Sequence, residues 1–551
     1  MKDKKIKLNV IYLCVMITLG IEGTAHTVGV GILKDDKILA NLTKMYIPKE
    51  GGIHPREAAN HHADNLVPLL KQALALANVE IDDLDLVSFS MGPGLGPCLR
   101  TVATAARALS LKLKVPIIGA NHCIAHLEIG KLLTGAEDPI LVYLSGGNTQ
   151  IISYKDGKYR VFGETLDIGI GNLLDKVARE FGLPFPGGPK IEKMALAGEK
   201  LYPLPYSVKG MDVSFSGLFT ASMAYYKKGI SQEDISKSVQ ETVFSMITEV
   251  TERALSHLNK DEILLGGGVA RNRRVQEMLK IMAEDRGAHF YSPPGEVCID
   301  NGAMIGYLGY LMYKSGIRMD IKDTEVDQKF RTDEVNVTWL KYSEHFKDYG
   351  TLPGAEAEIL NTEFFGRKAI KKTRIVKNYR DKKLDLELRK ERLKKEVRLL
   401  IETKKIGINV PIVYDIDLVE MSIVMEYIPG PTLREIFDNL SGSEKDQVAD
   451  NLGMAVATLH NNKIVHGDLT TSNIIYYNNK LYFIDFSMGD KNAELEDFGV
   501  DLHLLKESFL SAHYKYYDYF GKIIESYQKY CNSSSEILDK LEEIEKRRRY
   551  S

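Results

Sequence analysis

Two histidines four residues apart, His122 and His126, open a helical pattern in the segment PIIGANHCIAHLEIGKLL. One turn apart on one helix face, they can bind a single ion. Asn121 just before them is a good N-cap, so a short strand, Pro116 to Ala120, should hand over to a helix running to about Leu133. Spacing alone leaves open a plainer role, two helix-face histidines with ordinary hydrogen bonds. A few residues on, the apolar run Ile140 to Leu144 enters the turn Ser145-Gly146-Gly147-Asn148, where glycine amides can approach a phosphate.

Other residues of the same chemistry recur along the chain. Gly92-Pro93-Gly94-Leu95-Gly96 follows the strand Leu86 to Ser90, and Pro186-Gly187-Gly188-Pro189 precedes a helix carrying Glu192. The strand Glu262 to Leu265 feeds Gly266-Gly267-Gly268-Val269-Ala270-Arg271-Asn272, again before a helix. Each would bring glycine backbone and unpaired helix N–H groups to one place, which suits an anion. None is a dinucleotide-binding or Walker loop, and each alone reads as a tight turn. Asp300, in Cys298-Ile299-Asp300-Asn301-Gly302-Ala303, is expected as the N-cap of a helix to Lys314. The functional alternative is a carboxylate that completes a metal site with the histidine pair. Two imidazoles and a carboxylate, with or without a phenolate, suit iron better than a structural zinc, which prefers more sulfur.

The elements that must position these groups form a repeated pattern. Ile17 to Ile21, Thr27 to Leu33 and Lys37 to Tyr46 read as a three-stranded meander, and Ile140 to Ser145, Thr149 to Tyr154 and Tyr159 to Thr165 repeat it. Helices follow each meander, so a duplicated α/β unit with a cleft between its halves is expected. At 551 residues the chain has room for three or four domain-sized units. A net charge of -3 predicts no polyanion partner from the overall balance. The five scattered cysteines, Cys14, Cys98, Cys123, Cys298 and Cys531, form no C-x-x-C and fit a reducing, cytoplasmic setting. Lysines before the apolar run Leu8 to Leu19 mimic a secretory signal, but cleavage after Ala25 would delete the first strand. Residues 1–15 are therefore read as an extension, with Met16 an alternative start to Met1. No other segment has the apolar length of a membrane span.

Residues 16–330 resemble the archaeal and eukaryotic threonylcarbamoyl transferase subunit of the KEOPS complex, an actin-like, sugar-kinase-like fold. The resemblance is carried by NHCIAHLE, YLSGGNTQ, GNLLDKVAR, PFPGGP, DVSFSGL, LGGGVARN and CIDNGAM. It implies one iron, or zinc, held by His122, His126, Tyr143 and Asp300. It also implies threonylcarbamoyl-AMP against Tyr143, Leu144, Ser145, Gly146, Gly147, Asp175, Gly188, Glu192 and Asn272. The N6 amine of a tRNA adenosine would attack the carbamoyl carbon and AMP would leave. A separate synthase would supply the adenylate, and other small KEOPS subunits would be partners. A zinc peptidase of the H-E-x-x-H type is disfavoured because Cys123 stands where the glutamate is needed.

Beyond a charged stretch, with 331–346 read as a linker, the chemistry changes. His466-Gly467-Asp468-Leu469-Thr470-Thr471-Ser472-Asn473 precedes Ile484-Asp485-Phe486-Ser487, the spacing of a kinase catalytic loop and its metal-binding aspartate. Residues 347–551 resemble the small atypical KEOPS-associated protein kinase. That implies Lys372 on the ATP phosphates, with Lys371 an alternative, Glu396 as its partner and a hinge at Val424 to Tyr427 including Glu426. Asp468 would be the catalytic base, with Asn473 and Asp485 holding magnesium. Gly467 replaces the usual arginine, Ser487 the usual glycine, and little chain separates Asp485 from the helix bearing Asp501. ATP hydrolysis or autophosphorylation is therefore expected over phosphorylation of outside proteins.

Between Arg367 and Lys405 stand 17 Lys/Arg against 6 Asp/Glu, more than pairing within the helix can absorb. This stretch, and the terminal run Arg547, Arg548 and Arg549, are expected to meet tRNA phosphates. The reading is a duplicated actin-like α/β half fused to an α+β two-lobed kinase-like domain, acting in tRNA threonylcarbamoyladenosine formation. The alternatives are a signalling serine/threonine kinase with a nucleotide-binding half, and a nucleotide-responsive scaffold.

Overall fold

The structure, a computed structural model, describes residues 15–48, 52–155, 157–340 and 354–550, with side chains to 545. The first half begins with an antiparallel meander, β1 (Ile17–Glu22), β2 (Thr27–Lys34) and β3 (Lys37–Met45). Helix α1 (Pro55–Ala77), β4 (Leu86–Gly92), α2 (Gly96–Leu113), β5 (Ile117–Asn121) and α3 (His122–Thr134) follow. The second half repeats the plan: β6 (Ile140–Leu144), β7 (Thr149–Lys155), β8 (Lys158–Glu164), α4 (Ile170–Glu180) and α5 (Gly188–Ala197). A small hairpin, β9 (Val208–Lys209) and β10 (Asp212–Val213), leads to α6 (Ser216–Lys227) and the long α7 (Gln232–Leu258). Then come β11 (Glu262–Gly266), α8 (Arg273–Asp285), β12 (His289–Tyr291), α9 (Gly295–Cys298) and α10 (Gly302–Lys314).

The sheet orders are β3-β2-β1-β4-β5 and β12-β11-β6-β7-β8. In each, a meander is extended by two parallel strands from its first strand. That identity of order is the duplication the two meanders in the sequence suggested. β1 is therefore a central strand, flanked by β2 and β4.

Helices α3 and α10 fill the space between the sheets. From His122 to Gly130 every residue of α3 is buried, the pattern of a helix with no solvent face. The Asn121 side chain accepts the N–H groups of Cys123 and Ile124, as the sequence suggested. α10 lies directly on the backbone of β1 and β2. A Cβ at Gly20 would fall 2.1 Å from the Gly302 carbonyl oxygen, and one at Gly302 would fall 2.2 Å from Gly31 N. This close approach sets where α10 starts. The sequence expectation that Asp300 caps α10 is corrected here: Asn301 is the cap, its Oδ1 accepting from Met304 N at 3.0 Å. Asp300 is left free to face α3. Substituting Ala at Gly20 should therefore push α10 outward, costing about 1–3 kcal/mol of stability. Thermal unfolding and metal stoichiometry should fall together in this variant; unchanged values for both would contradict the packing argument.

Residues 332–340, in the stretch expected as linker, cover the first domain. Val335 and Val337 are buried against it, and Trp339 Nε1 donates to Glu128 at 2.7 Å. Residues 341–353 lie outside the described residues. The C-terminal domain opens with β13 (Ala357–Phe364) and β14 (Arg367–Arg374), continues through α11 (Lys382–Lys405), and adds β15 (Val413–Asp417) and β16 (Ser422–Glu426). These strands form an antiparallel sheet ordered β13-β14-β16-β15. A helical lobe follows. It comprises α12 (Leu433–Ile436), α13 (Gly442–Asn461), α14 (Leu495–Ala512), α15 (Asp518–Tyr530) and α16 (Ser534–Tyr550). Short strands β17 (Ile464–Val465), β18 (Ile474–Tyr477), β19 (Lys480–Phe483) and β20 (Asp490–Lys491) line the junction between the lobes. Each lobe has its own apolar cluster, small in the sheet lobe and larger in the helical one.

Candidate functional site

The head of α3, the end of β6 and the approach to α10 converge between the two sheets. Asp300 Oδ1 lies 3.4 Å from His122 Nε2 and 3.3 Å from His126 Nε2. The Tyr143 hydroxyl, at the end of β6, stands 3.0 Å from His122 Nε2. His122, His126 and Asp300 present donor atoms within 4.8 Å of one another. Two bonds of roughly 2.1 Å meeting at roughly 100° separate their donors by roughly 3.2 Å, so this set fits one first-row metal ion.

The electrostatics follow from burial and pairing. Burial works against charge on His122, but Tyr143, Glu22 and Asp300 outweigh it and hold the imidazole well above its ordinary value. Burial would raise Asp300, yet His122 and His126 hold it well below the carboxylate range. His126 is pushed down, chiefly by burial. Burial likewise pushes the Tyr143 phenol up.

One partner escaped the sequence reading. Glu22, fully buried at the end of β1, has Oε2 3.2 Å from His122 Nδ1, while its Oε1 accepts from Thr24 N and Oγ1 at 2.7 and 2.6 Å. A carboxylate on the far ring nitrogen fixes the ring so that Nε2 faces the cluster. Its only sequence signal is an acid ending a strand before Gly23.

Beside the cluster, the Ser145–Asn148 turn is closed by Ser145 N donating to Asn148 O at 2.8 Å. Gly147 and Gly268 have open space where a Cβ would be, and Gly188 has only Leu174 at 3.9 Å. Asp175 Oδ1 accepts from Gly187 N at 2.6 Å, which ties α4 to the start of α5. Burial raises Asp175, opposed by the amides of Gly187 and Gly188. Glu192 Oε1 accepts from Arg273 N at 2.8 Å, and Asn272 caps α8 while donating to Gln240 on α7 at 3.1 Å. Asp175, Gly188, Glu192 and Asn272 are thus joined by α4, α5 and the head of α8. Leu144 carries the Gly267 turn against its own backbone, since a Cβ at Gly267 would meet the Leu144 oxygen at 2.4 Å.

In the second domain, Lys372 Nζ lies 2.7 Å from Glu396 and 2.8 Å from Asp485. Lys371 points the other way, to the exposed Glu420. Asn473 Nδ2 donates to Asp468 Oδ2 at 3.0 Å. The loop holding Asp468 is anchored by Asp501, which accepts from His466 N and Gly467 N at 2.6 and 2.8 Å. Gly467 has φ +78 and a Cβ there would meet Met488 O at 2.2 Å, so no arginine fits at that position. Glu426 Oε2 accepts from Ile412 N at 3.1 Å, so its side chain braces the hinge. The side chains of Arg547, Arg548 and Arg549 lie outside the described residues.

The two domains meet at the kinase centre. Arg253 of α7 places Nη1 3.5 Å from Asp468 Oδ2 and also pairs with Glu356 and with Glu249. Glu249 and Glu252 of the same helix receive Arg380, Arg392 and Lys377. The basic stretch from Arg367 to Lys405 is therefore engaged in part: α7 takes three of its cations, Glu396 takes Arg374, and Asp385 takes Arg389. Lys377, Arg380 and Arg392 are thus taken up by another domain, and only the remaining cations of the stretch stay available to the expected nucleic acid.

These contacts carry a pH prediction. Burial would raise Glu356 and Glu249, but Arg253, Arg392 and their neighbours outweigh it and hold both below the ordinary range. Depressed carboxylates contribute stability above their unfolded value of about 4.3, and lose it as pH falls through the folded value. Small-angle scattering should show constant dimensions from pH 5 to 8 and expansion below about pH 4. Expansion on raising the pH from 5 to 8 would contradict this assignment.

Comparison with known proteins finds a family for each domain. The family model for tRNA N6-adenosine threonylcarbamoyltransferase matches residues 37–307, and that for the RIO domain matches residues 360–499. A Thermoplasma volcanium protein described as a probable bifunctional tRNA threonylcarbamoyladenosine biosynthesis protein is 50% identical over 536 residues, covering 97% of this chain and 100% of its own. A counterpart of the same description from Methanocaldococcus jannaschii is 48% identical over 542 residues, covering 97% of this chain and 100% of its own. No helix among the described residues is long and apolar enough to cross a membrane. With relatives this similar over nearly their whole length, the chain belongs to the family of bifunctional tRNA threonylcarbamoyladenosine biosynthesis proteins, a threonylcarbamoyltransferase fused to a RIO-type kinase domain.

Proposed function

We propose that the first domain transfers the threonylcarbamoyl group of threonylcarbamoyl-AMP to N6 of the adenosine 3′ of the anticodon in tRNAs reading ANN codons. The observation that carries this reading is the His122–His126–Asp300 cluster standing beside the open glycine turn at Ser145–Gly147. His122, His126, Asp300 and Tyr143 would hold one iron, and the same donors accept zinc. Such an ion supplies a Lewis acid that polarises the carbamoyl carbonyl. The amides of Gly146 and Gly147 receive the phosphate while Ser145 closes the turn beneath it, and Asp175, Gly188, Glu192 and Asn272 receive the nucleoside. Glu22 keeps the His122 ring turned so that Nε2 faces the cluster, and the two halves exclude water from the activated acyl group. The adenosine amine attacks, and AMP leaves.

In the second domain Lys372 and Glu396 would receive the ATP phosphates, Glu426 braces the hinge, Asn473 and Asp485 hold magnesium, and Asp468 is the base. Residues 486–494 leave no room for an activation segment, and Arg253 stands where a protein substrate would enter. Both favour ATP hydrolysis or autophosphorylation that resets the transferase. A signalling kinase would leave the histidine cluster without a use. The partners are tRNA, with Arg547, Arg548 and Arg549 on its phosphates, a separate synthase and the other small KEOPS subunits, in the cytoplasm. Reconstitution with tRNA, threonine, bicarbonate, ATP, those subunits and a synthase tests the reading by nucleoside mass. Threonylcarbamoyladenosine is expected, and unmodified adenosine beside an active synthase contradicts it.

A further inference from the structure

The loop from β1 to β2 works at both ends. At its head, Glu22 and Thr24 reach His122. At its tail His26 crosses to the second half, its ring 5.7 Å from that of Phe185 and perpendicular to it. The His26 carbonyl accepts from Tyr46 N at 2.7 Å, which fixes the backbone there. The ring is half-buried, and neither nitrogen has a hydrogen-bond partner among the described residues.

The other bases of this cleft are engaged. His122 and His126 face Asp300, Asp175 accepts from Gly187 N, and Glu192 accepts from Arg273 N. His62 of α1, beneath the loop, is pushed down to about 4 by burial and is neutral. Asp175 of α4 and His62 are within electrostatic reach of His26.

Transfer to an adenosine amine needs a proton acceptor. The amine nitrogen becomes cationic as it bonds to the carbonyl carbon, and an imidazole suits that role near neutral pH. We propose that His26 is the base of the transfer step. This rests on the transfer reading above. The bond from N6 to the carbamoyl carbon forms, and the bond from that carbon to the phosphate oxygen breaks, its electron pair leaving with AMP. The proton released from N6 goes to a ring nitrogen of His26 and from there to solvent. Phe185 packs perpendicular to the ring from the second half of the domain.

The test is single-turnover transfer from purified threonylcarbamoyl-AMP to tRNA by the full chain, comparing wild type with His26→Asn across pH 5 to 9. The wild-type rate is expected to rise with pH and then level off, because only an unprotonated base accepts the proton. His26→Asn is expected to be slower by about 10²-fold or more and to lose that rise, with metal content and affinity for AMP unchanged. A variant within threefold of wild type, one that keeps the wild-type pH profile, or one that loses AMP affinity in proportion to rate would overturn the assignment. A wild-type chain that transfers nothing sinks the transfer reading itself, and the role of His26 with it.

Discussion

His126→Ala abolishes transfer to tRNA while ATP turnover in the second domain continues. The reason is geometric: His126 Nε2 and His122 Nε2 both converge on Asp300 Oδ1, at 3.3 and 3.4 Å, and removing one imidazole takes away one of the four groups proposed to hold the ion. A Lewis acid contributes several kcal/mol to such a step, so its loss slows transfer by about 10³-fold or more. His126 lies on the buried helix α3, and its nearest charged partners belong to the first domain. The kinase residues Lys372, Glu396, Asp468 and Asp485 are held by contacts of their own. Metal content and nucleoside mass on one side, and phosphate release on the other, check the two halves of this prediction. Equal loss of both activities would mean that the variant had unfolded or that the sites are not separate.

Asp468→Asn gives the opposite pattern. The side chain keeps its size, so Asn473 and the Asp501-anchored loop stay in place, but the carboxylate proposed as base for the attacking oxygen is gone. A positioned base contributes about 10²–10⁴ in rate, and ATP turnover falls by that factor. The variant also weakens the pairing with Arg253, which the neutral amide no longer holds by charge. A single round of transfer from ready-made adenylate needs no ATP and is preserved. Measuring phosphate release under multiple turnover beside single-round transfer separates the two. ATP turnover unchanged in Asp468→Asn would remove this residue from the chemistry.

What the sequence revealed, and what it hid, follows from separation along the chain. The histidine pair, the Ser145–Asn148 turn and the Asp468 to Asn473 spacing are local patterns, since helix and turn geometry turn a spacing directly into a direction. The repeated meander was also legible, because strand and turn signals recur in the same order. Glu22 was not, because it meets His122 across 100 residues of chain, through a sheet order that no local pattern encodes. Arg253 meets Asp468 across 215 residues and from a different domain. The pairing of Lys377, Arg380 and Arg392 was hidden for the same reason: their counter-charges lie on α7, outside any window around them. The one-residue exchange of cap between Asp300 and Asn301 was hidden more subtly. Either side chain can cap a helix, and only the glycine packing of α10 against β1 decides which of them turns toward α3.

The central claim is that the imidazole and carboxylate cluster, with the cradle beside it, hands an activated acyl group to RNA. Mixing the protein and the other small KEOPS subunits with isolated threonylcarbamoyl-AMP and unmodified tRNA, without ATP, and weighing the nucleosides after one turnover tests it most directly. The account predicts threonylcarbamoyladenosine with the wild-type chain and with Asp468→Asn, and none with His126→Ala. Product formed equally by His126→Ala, or by none of the three, would contradict it.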